Sequence, residues 1–559
     1  MGWILDALLA KRGLTGSSLE EYLDPALRRL ARFDALPGIM EAAGAILPFV
    51  RDRRTIVVFG DYDCDGVCAS AILAKTLIRL GANVMQFVPD RFSEGYGLTS
   101  ASIVRMLAEI PDVALVVTVD CGISSMEEVR LLKSRGIAVV VTDHHLPPET
   151  LPECDAVVDM KAAAGCAALD EFGARDICGA GVAFFLANAL VARATSLGMY
   201  SGEKFGAPLL VLAGLATVVD IVPLVGQNRI LAANALRMFR AAPVGLLELL
   251  SRAQRRSGTV TSRDFGFLLG PRINAAGRMA TARDACDLLM AEDREQARNL
   301  AQRVDVHNAE RKTVEGRMLS SVEGSLPEAG IAAIVVGCGK GDSIPGWHTG
   351  VAGNVASRLV DRYGVPAAVV VNGIGSVRAP DGYNVYDALT GCSDHLLRFG
   401  GHVAAGGFAV KPGRFDDFKA AFVAACESQC AAGANVSQGT NGLREPDLWI
   451  SPGDLTLALH DELQAMAPFG EGNPEPEFGL RGVLFSGIRL IGESGKHASF
   501  QFADRRIPRA VWWGHGTLAE RLRSRSSERF DITFTLEVSD WGGGDEPHLE
   551  LRVTSLASA

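Results

Sequence analysis

Histidine is scarce in this chain: there are ten in 559 residues, and two of them adjoin at His144-His145. Long apolar runs are missing too. No eighteen consecutive residues are both apolar and uncharged, so no membrane-spanning helix is expected. The first residues, MGWILDALLAKRGLTG, carry Asp6 and Lys11 around a short apolar patch. They lack the basic start, the long apolar stretch and the small-residue cleavage site of a signal peptide, so the default expectation is a cytoplasmic protein. The eleven cysteines form no CxxC pair and no zinc-like cluster; Cys64/Cys68 and Cys426/Cys430 stand four apart, a spacing that helices produce by chance. Reduced, mostly buried thiols are expected, not a disulfide framework or a thiolate metal site. No fixed-period repeat or low-complexity tract occurs. The formal net charge of −10 argues against a surface that is basic throughout. It leaves room for a local basic groove, because screening limits charge effects to about 8–10 Å at physiological salt.

What is present is a globular composition, 48% hydrophobic and 21% charged, unlike a disordered chain. At about 150 residues per domain the length suggests roughly three or four domains. Residues 1–50 read as helical, SSLEEYLDPALRRLARF offering a serine cap, an acidic first turn and an apolar stripe. From Thr55 short apolar runs alternate with amphipathic segments: TIVVFG, a helix over about 67–80, NVMQFVP, ALVVTVD, a helix near 125–134, IAVVVTD and AVVD. That alternation predicts an α/β domain with a parallel sheet and crossover helices, whose ligands gather beyond the carboxyl ends of the strands. A largely helical segment rich in Arg and Glu follows over about 230–325. A second α/β region then runs from IAAIVVG at 331 to about 432, and GANVSQGTNGLREP (433–446) reads as a linker. GVLFSGIRLIG, HASFQFAD, RAVWWG, FDITFTLEVSD and HLELRVTSL are five strand-like runs that fit a small, OB-like β-barrel. The expected boundaries are 1–50, 51–230, 231–325, 326–432 and 443–559.

The titratable residues gather at the expected strand ends. Asp61-Tyr62-Asp63-Cys64-Asp65-Gly66 follows TIVVFG, Asp120-Cys121-Gly122 follows ALVVTV, and Asp143-His144-His145 follows AVVVT. Further on, Asp220 ends the apolar run LAGLATVV. Taken alone, DYDCDG would suit a turn built on Asx hydrogen bonds, and DHH a helix cap followed by surface histidines. Together, at one edge of one sheet, such carboxylates repel each other and take up protons unless a cation sits among them. Hard oxygen ligands with one or two imidazoles suit two Mn2+ or Mg2+ ions. Such a pair clamps both oxygens of an in-line phosphoryl displacement, and the second imidazole is left to stabilise or protonate the scissile phosphate.

GDYDCDG, VDCG, TDHHLPPE and VVDIVPL resemble the four motifs of the DHH phosphoesterase superfamily, and within it the chain resembles the RecJ-type exonucleases specific for single-stranded DNA. ICGAGVAFFL, LGPRINAAGRM, GWHTGVAGNVASRLVDRYGVPA, CSDHLLRFGGHVAAGGFAV and APFGEGNPEPEF extend the match over most of the chain. The resemblance implies an N-terminal DHH domain, linking helices, a DHHA1 domain and a C-terminal OB-like domain. It implies metal ligation by Asp61, Asp63, Asp120, His144 and Asp220, with Asp65 as a further ligand, His145 beside the scissile phosphate and Asp143 orienting a neighbour. Arg278, Ser376, Arg378 and His402 are the implied substrate-binding residues, the two arginines and the serine for a terminal 5′ phosphate. The chain departs from the family at Cys64 in the first motif, at Val377 and Ala379 in GSVRA, and in VVDMKAAAGC, which lacks the usual Asn-Pro.

The implied reaction is 5′→3′ degradation of single-stranded DNA to 5′-mononucleotides in DNA recombination and repair, with a helicase and a single-strand-binding protein as conceivable partners. A single strand suits a groove with cationic walls and aromatic faces on which bases stack. Trp512, Trp513 and Trp541 with Lys496, Arg505, Arg506, Arg509, Arg521 and Arg523 are candidates for it, and barrel core is the other reading of the tryptophans. Arg252, Arg255, Arg256 and Arg263 are either a further backbone contact or a solvated face. Two other functions compete: a DHH phosphodiesterase for very short or cyclic oligonucleotides or pyrophosphate, and a non-catalytic single-strand-binding scaffold. Many of the former carry a histidine four residues before the first motif aspartate, where this chain has Val57. The scaffold predicts missing ligands, and none is missing.

Overall fold

The computed structural model describes residues 2–203, 205–253, 259–324, 326, 331–431, 443–492, 495–525, 527–539 and 548–559. The chain divides into two compact units, Met1–Asp305 with Leu443–Ala559, and Val306–Gly442.

In the first unit, β1 (Thr55–Gly60), β2 (Asn83–Phe87), β3 (Val113–Val119), β4 (Ala138–Thr142) and β5 (Ala156–Val158) form a sheet in the order β2-β1-β3-β4-β5. Every pairing is parallel, as the βα alternation requires. The strands read as continuous apolar runs because both faces are covered. Ile56 and Val58 enter one core with Val67, Ile72 and Phe185, while Val57 and Phe59 enter the other with Ile103, Met106 and Leu132. The helix expected over about 67–80 spans Cys64–Arg79, its start fixed by the Asp63 carboxylate, which accepts from Asp65 N and Gly66 N. Helices Gly179–Ser196 and Gly206–Val219 pack against it. Gly179–Ser196 is long and apolar enough to cross a membrane by length and composition, but two thirds of it is buried in this core. The apolar run before Asp220 is thus a helix, with Asp220 as its C-cap.

The first fifty residues divide between two cores. Trp3–Lys11 buries Ile4, Leu5, Leu8 and Leu9 with Leu459, Phe478 and Phe534 of the C-terminal domain, whereas Ile39–Arg51 buries its apolar face on the parallel sheet. The serine cap expected in this region is replaced by Thr15, which forms a capping box with Ser18 for helix Gly16–Leu23. That helix stops before Pro25, whose ring cannot continue it.

Among the described residues the C-terminal domain has seven strands where five were expected. Numbered in chain order after five strands of the second unit, β11 (Leu448–Trp449), β12 (Phe478–Val483), β13 (Phe485–Ile491), β14 (His497–Phe502), β15 (Ala510–Trp512), β16 (Phe530–Ser539) and β17 (His548–Ser558) form one sheet, ordered β11-β12-β16-β17-β15-β14-β13. The run GVLFSGIRLIG is divided at Leu484, just beyond Gly482 at φ +61 and the β12–β16 register shift between Leu480 and Val483.

The second unit holds a mixed sheet of β6 (Ile334–Gly337), β7 (Ala367–Val371), β8 (Ile374–Arg378), β9 (Leu396–Gly401) and β10 (Ala405–Val410), ordered β6-β7-β8-β10-β9. Only β6–β7 is parallel. The division between the units falls inside the continuous helix Arg294–Glu323, at 305/306. Most of the expected linker, residues 433–442, lies outside the described residues.

Candidate metal centre

The strand ends meet because the register makes them meet. Gly60 pairs with Val119, and Val119 with Thr142, so Asp61, Asp120 and Asp143 are each the first residue beyond three adjoining, aligned positions. Asp120 leaves β3 at φ +62 and Gly122 follows at φ +107, a left-handed turn that sends the carboxylate across the sheet edge. Asp tolerates that region better than most residues, at a cost of about 1–2 kcal/mol.

Three groups of ligand atoms converge, each with its atoms within 4.8 Å of one another: Asp61, Asp63 and Asp120; Asp65, His144 and Asp220; and Asp120, His144 and His145. Asp120 and His144 link the groups, the His144 Nε2 lying 3.0 Å from Asp120 Oδ1, 3.6 Å from Asp65 Oδ2 and 3.7 Å from Asp220 Oδ2. Asp61 Oδ1 and His144 Nδ1 are buried without a hydrogen bond. Oxygen-rich donors with one imidazole, and buried oxygens left unsatisfied, fit hard divalent cations.

The electrostatics point the same way. Burial, then the neighbouring carboxylates, push Asp61 and Asp120 well above the usual carboxylate range. The same causes raise Asp65 to about 6 and Asp220 to about 9. Burial, then the charge of His145, lowers His144 to about 3, leaving a neutral imidazole suited to ligation. Asp65 also accepts from Gly179 N at 2.6 Å and Ala180 N at 2.7 Å, so it ties the cluster to the start of helix Gly179–Ser196.

Asp143 stands apart from these groups. It accepts from Ile123 N, His144 N and His145 N, and His145 Nδ1 lies 2.7 Å from its Oδ1. For His145, burial opposes the charged form, but the Asp143 hydrogen bond and charge outweigh it and the pKa is raised. Tyr96 Oη lies 3.0 Å from the other ring nitrogen. The imidazole is therefore held at both ends, beside the cluster.

A cavity of about 180 Å3 adjoins the cluster, lined by Asp61, Tyr62, Asp63, Arg91, Tyr96, Asn274 and Arg278. Arg278 is thus brought beside the strand ends from far along the chain. Tyr96, Arg91 and Asn274 were not singled out in the sequence. Asn274 lies within the quoted LGPRINAAGRM and accepts from Cys64 N at 2.7 Å, fixing the DYDCDG turn. Tyr96 sits between Gly95 and Gly97, both at positive φ, in a loop with no periodic signal. Arg91 lies over the Tyr62 ring at 5.0 Å.

Gly179 shows how closely the parts pack: a β carbon there would stand 2.7 Å from Asp120 Cβ. Gly179→Ala is therefore expected to displace Asp120 and weaken Mn2+ binding by about 10–100-fold, the range of losses when a ligand's support is removed. Calorimetric titration of the metal-free protein measures it.

The remaining substrate candidates, Ser376, Arg378 and His402, lie together in the second unit. Ser376 and Arg378 share one face of β8, with Val377 buried on the other, and their β10 partners are Gly407 and Ala405. His402 N donates to Ala405 O, placing His402 at the same end of the sheet. A β carbon on Gly353 would stand 3.1 Å from an Arg378 guanidinium nitrogen, so the helix Ala352–Tyr363 packs closely on this group.

The aromatic and basic candidates of the C-terminal domain divide. Trp512 is core, 1% exposed, whereas Trp513 is 45% exposed with His497 edge-on to it at 4.8 Å. Arg506 is paired with Asp504 and Arg509 with Glu550. Arg252 pairs with Asp305 and Arg263 with Glu537, so these two are ion-paired rather than simply solvated. Trp541, Arg255 and Arg256 lie outside the described residues.

Comparison with known proteins fits this arrangement. The DHH family, N-terminal domain, matches residues 55–213, the DHHA1 domain 332–428 and the RecJ OB domain 446–553. The single-stranded-DNA-specific exonuclease RecJ of Dickeya dadantii is 35% identical over 88% of this chain and 85% of its own. The chain belongs to the RecJ family. Its structure resembles the crystal structure of Thermus thermophilus RecJ in complex with Mn2+, at a TM-score of 0.80 and 31% identity over 99% of this chain and 75% of that one. The Mg2+ complex of the same protein gives 0.74, at 30% identity over 99% and 74%. The α/β architecture with DHH, DHHA1 and OB domains stands as expected, and the acidic cluster of this RecJ-family chain is one that can hold Mn2+ or Mg2+.

Proposed function

We propose that this chain is a metal-dependent exonuclease that degrades single-stranded DNA in the 5′→3′ direction to 5′-mononucleotides, acting in recombination and repair. The observation that carries the reading is the pair of three-donor groups, Asp61-Asp63-Asp120 and Asp65-His144-Asp220, abutting a cavity that Arg91 and Arg278 also line.

Asp61, Asp63, Asp120, His144 and Asp220, with Asp65 as a further ligand, are the residues that would hold two Mn2+ or Mg2+ ions. Ions held there would supply Lewis-acid stabilisation of the charge that develops in a phosphoryl displacement. Neutral His144 ligates without adding charge. His145, oriented by Asp143 and Tyr96 and raised in pKa, is placed to carry a proton beside the scissile phosphate. Arg91 and Arg278 offer guanidinium forks to phosphate oxygens. Ser376 and Arg378 are assigned to the terminal 5′ phosphate and His402 to the substrate near it, while Trp513 offers a stacking face to the strand beyond. A cytoplasmic location fits this role. A helicase that delivers single strands and a protein that coats them are the partners such a substrate calls for.

The test uses a single-stranded oligonucleotide labelled at its 3′ end, with Mn2+, beside a 5′-blocked strand and a blunt duplex. Progressive shortening of the unblocked strand alone is expected. Hydrolysis confined to a dinucleotide or pyrophosphate control would keep the metal chemistry and overturn the substrate.

A further inference from the structure

The segment APFGEGNPEPEF (467–478) matches the family yet takes no part in the chemistry above. Its centre is a turn, Gly470–Asn473, closed by reciprocal backbone hydrogen bonds of 3.0 and 3.1 Å. Asn473 is 2% exposed and donates to the carbonyls of Met466 and Pro468, which fixes the approach to the turn. Arg229 of the catalytic core, 3% exposed, donates to Met466 O and Ala467 O at 3.0 Å each. The turn is therefore built rigidly onto the catalytic core, at the entrance to the C-terminal domain.

What it touches is the chain just after Asp220. Leu224 N donates to Glu471 O at 2.7 Å. Gly472, at φ +66, lies so close that a β carbon would stand 3.0 Å from Pro223 Cβ, and one on Gly470 would stand 2.7 Å from Leu224 Cδ1. Between Asp220 and Pro223 the backbone is strained: Ile221 is β-branched, lies at φ +59 and is 70% exposed. A residue of that kind stays in the left-handed region only where its surroundings over-determine it. Its own side chain, largely in solvent, supplies little of that constraint. On the carboxyl side the constraint comes from the Glu471 carbonyl and the Gly472 backbone.

We infer that the Gly470–Asn473 turn positions Asp220, so that the C-terminal domain sets the geometry of the metal centre without supplying a ligand to it. The inference rests on the reading of Asp220 as a metal ligand. Releasing the turn lets residues 221–224 relax and lets Asp220 swing, which weakens metal binding while leaving the reacting groups in place.

The experiment compares the full chain with its Gly472→Ala, Gly470→Ala and Asp220→Ala variants, reading Mn2+ affinity by electron paramagnetic resonance of the free ion and single-strand binding in EDTA. Gly472→Ala adds a β carbon at positive φ against Pro223, and about a tenfold weaker Mn2+ affinity is expected. The Mn2+ concentration for half-maximal activity rises by the same factor, and turnover at saturating Mn2+ returns to the unmodified level. Gly470→Ala, which meets only the end of the Leu224 side chain, gives a smaller shift of the same kind, and it decides the matter if Gly472→Ala does not fold. Unchanged Mn2+ affinity in the glycine variants, with a loss in Asp220→Ala, overturns the inference. Unchanged affinity in Asp220→Ala overturns the assignment of Asp220 beneath it.

Discussion

Asp120→Ala is expected to lower exonuclease turnover at saturating Mn2+ by about a thousandfold or more, while single-strand binding measured in EDTA stays within about threefold of the unmodified chain. The expected size follows from position. Asp120 belongs to two of the three converging donor groups, and its Oδ1 lies 3.0 Å from His144 Nε2. Its loss therefore removes a donor from the Asp61-Asp63 group and the carboxylate nearest His144, which exceeds the roughly 10–100-fold cost of losing a supporting hydrogen bond. Binding is expected to be spared because the exposed Trp513, the proposed stacking face, belongs to the C-terminal domain and to none of the donor groups. Active-site titration with a 3′-labelled strand, beside fluorescence anisotropy in EDTA, measures both quantities. Turnover within tenfold of the unmodified chain would remove Asp120 from the centre of the mechanism. Alanine also relieves carboxylate repulsion, so the variant is expected to melt no lower than the unmodified chain in EDTA.

The metal-free protein is expected to lose stability as the pH rises from 5 to 9, and Mn2+ to reverse the trend. Unfolded aspartates titrate near 3.9. In the folded chain Asp65 is raised to about 6 and Asp220 to about 9, first by burial and then by neighbouring carboxylates, and Asp61 and Asp120 are also raised well above the usual carboxylate range. The folded state thus holds more protons than the unfolded state through this window. Its advantage is complete below the unfolded pKa and is lost as the pH passes each folded pKa. For Asp65 alone, a rise of about two units corresponds to on the order of 3 kcal/mol. Mn2+ competes with those protons, so its stabilisation grows with pH, and at a hundredfold excess over its dissociation constant it contributes about 2.7 kcal/mol. Thermal melts across the pH series, in EDTA and in Mn2+, check the sign. A melting temperature in EDTA that is flat or rising from pH 5 to 9 would mean that these carboxylates are not held together in the folded protein.

The strand-end residues were legible because a parallel α/β sheet imposes its own bookkeeping. Once TIVVFG, ALVVTV and AVVVT are strands of one sheet, whatever follows them must share an edge. Asp61, Asp120 and Asp143 could therefore be brought together from spacing and apolar pattern. Asp220 was legible only as the end of an apolar run, since periodicity does not separate a buried helix from a buried strand. Tyr96, Arg91 and Asn274 were missed for a different reason. Two lie in loops and one on a helix of another segment, and only the closing of the chain on itself brings them to the cavity. The split of GVLFSGIRLIG was equally hidden, because its β-like composition masks the left-handed backbone at Gly482.

By itself, then, the sequence determined the fold class, the order of the domains and the chemical kind of the site. Those depend on local patterning and on residue types at strand ends. Tertiary structure alone decided the rest. It showed that the neighbour Asp143 holds is His145, placed Arg278 against the acidic cluster, and sank Trp512 while leaving Trp513 exposed. It also sent the first helix into the C-terminal core and set the Gly470–Asn473 turn beneath the Asp220 loop. These outcomes turn on which of several apolar or polar surfaces meets which other. Contacts between residues some 250 to 450 positions apart leave no periodic trace in the chain.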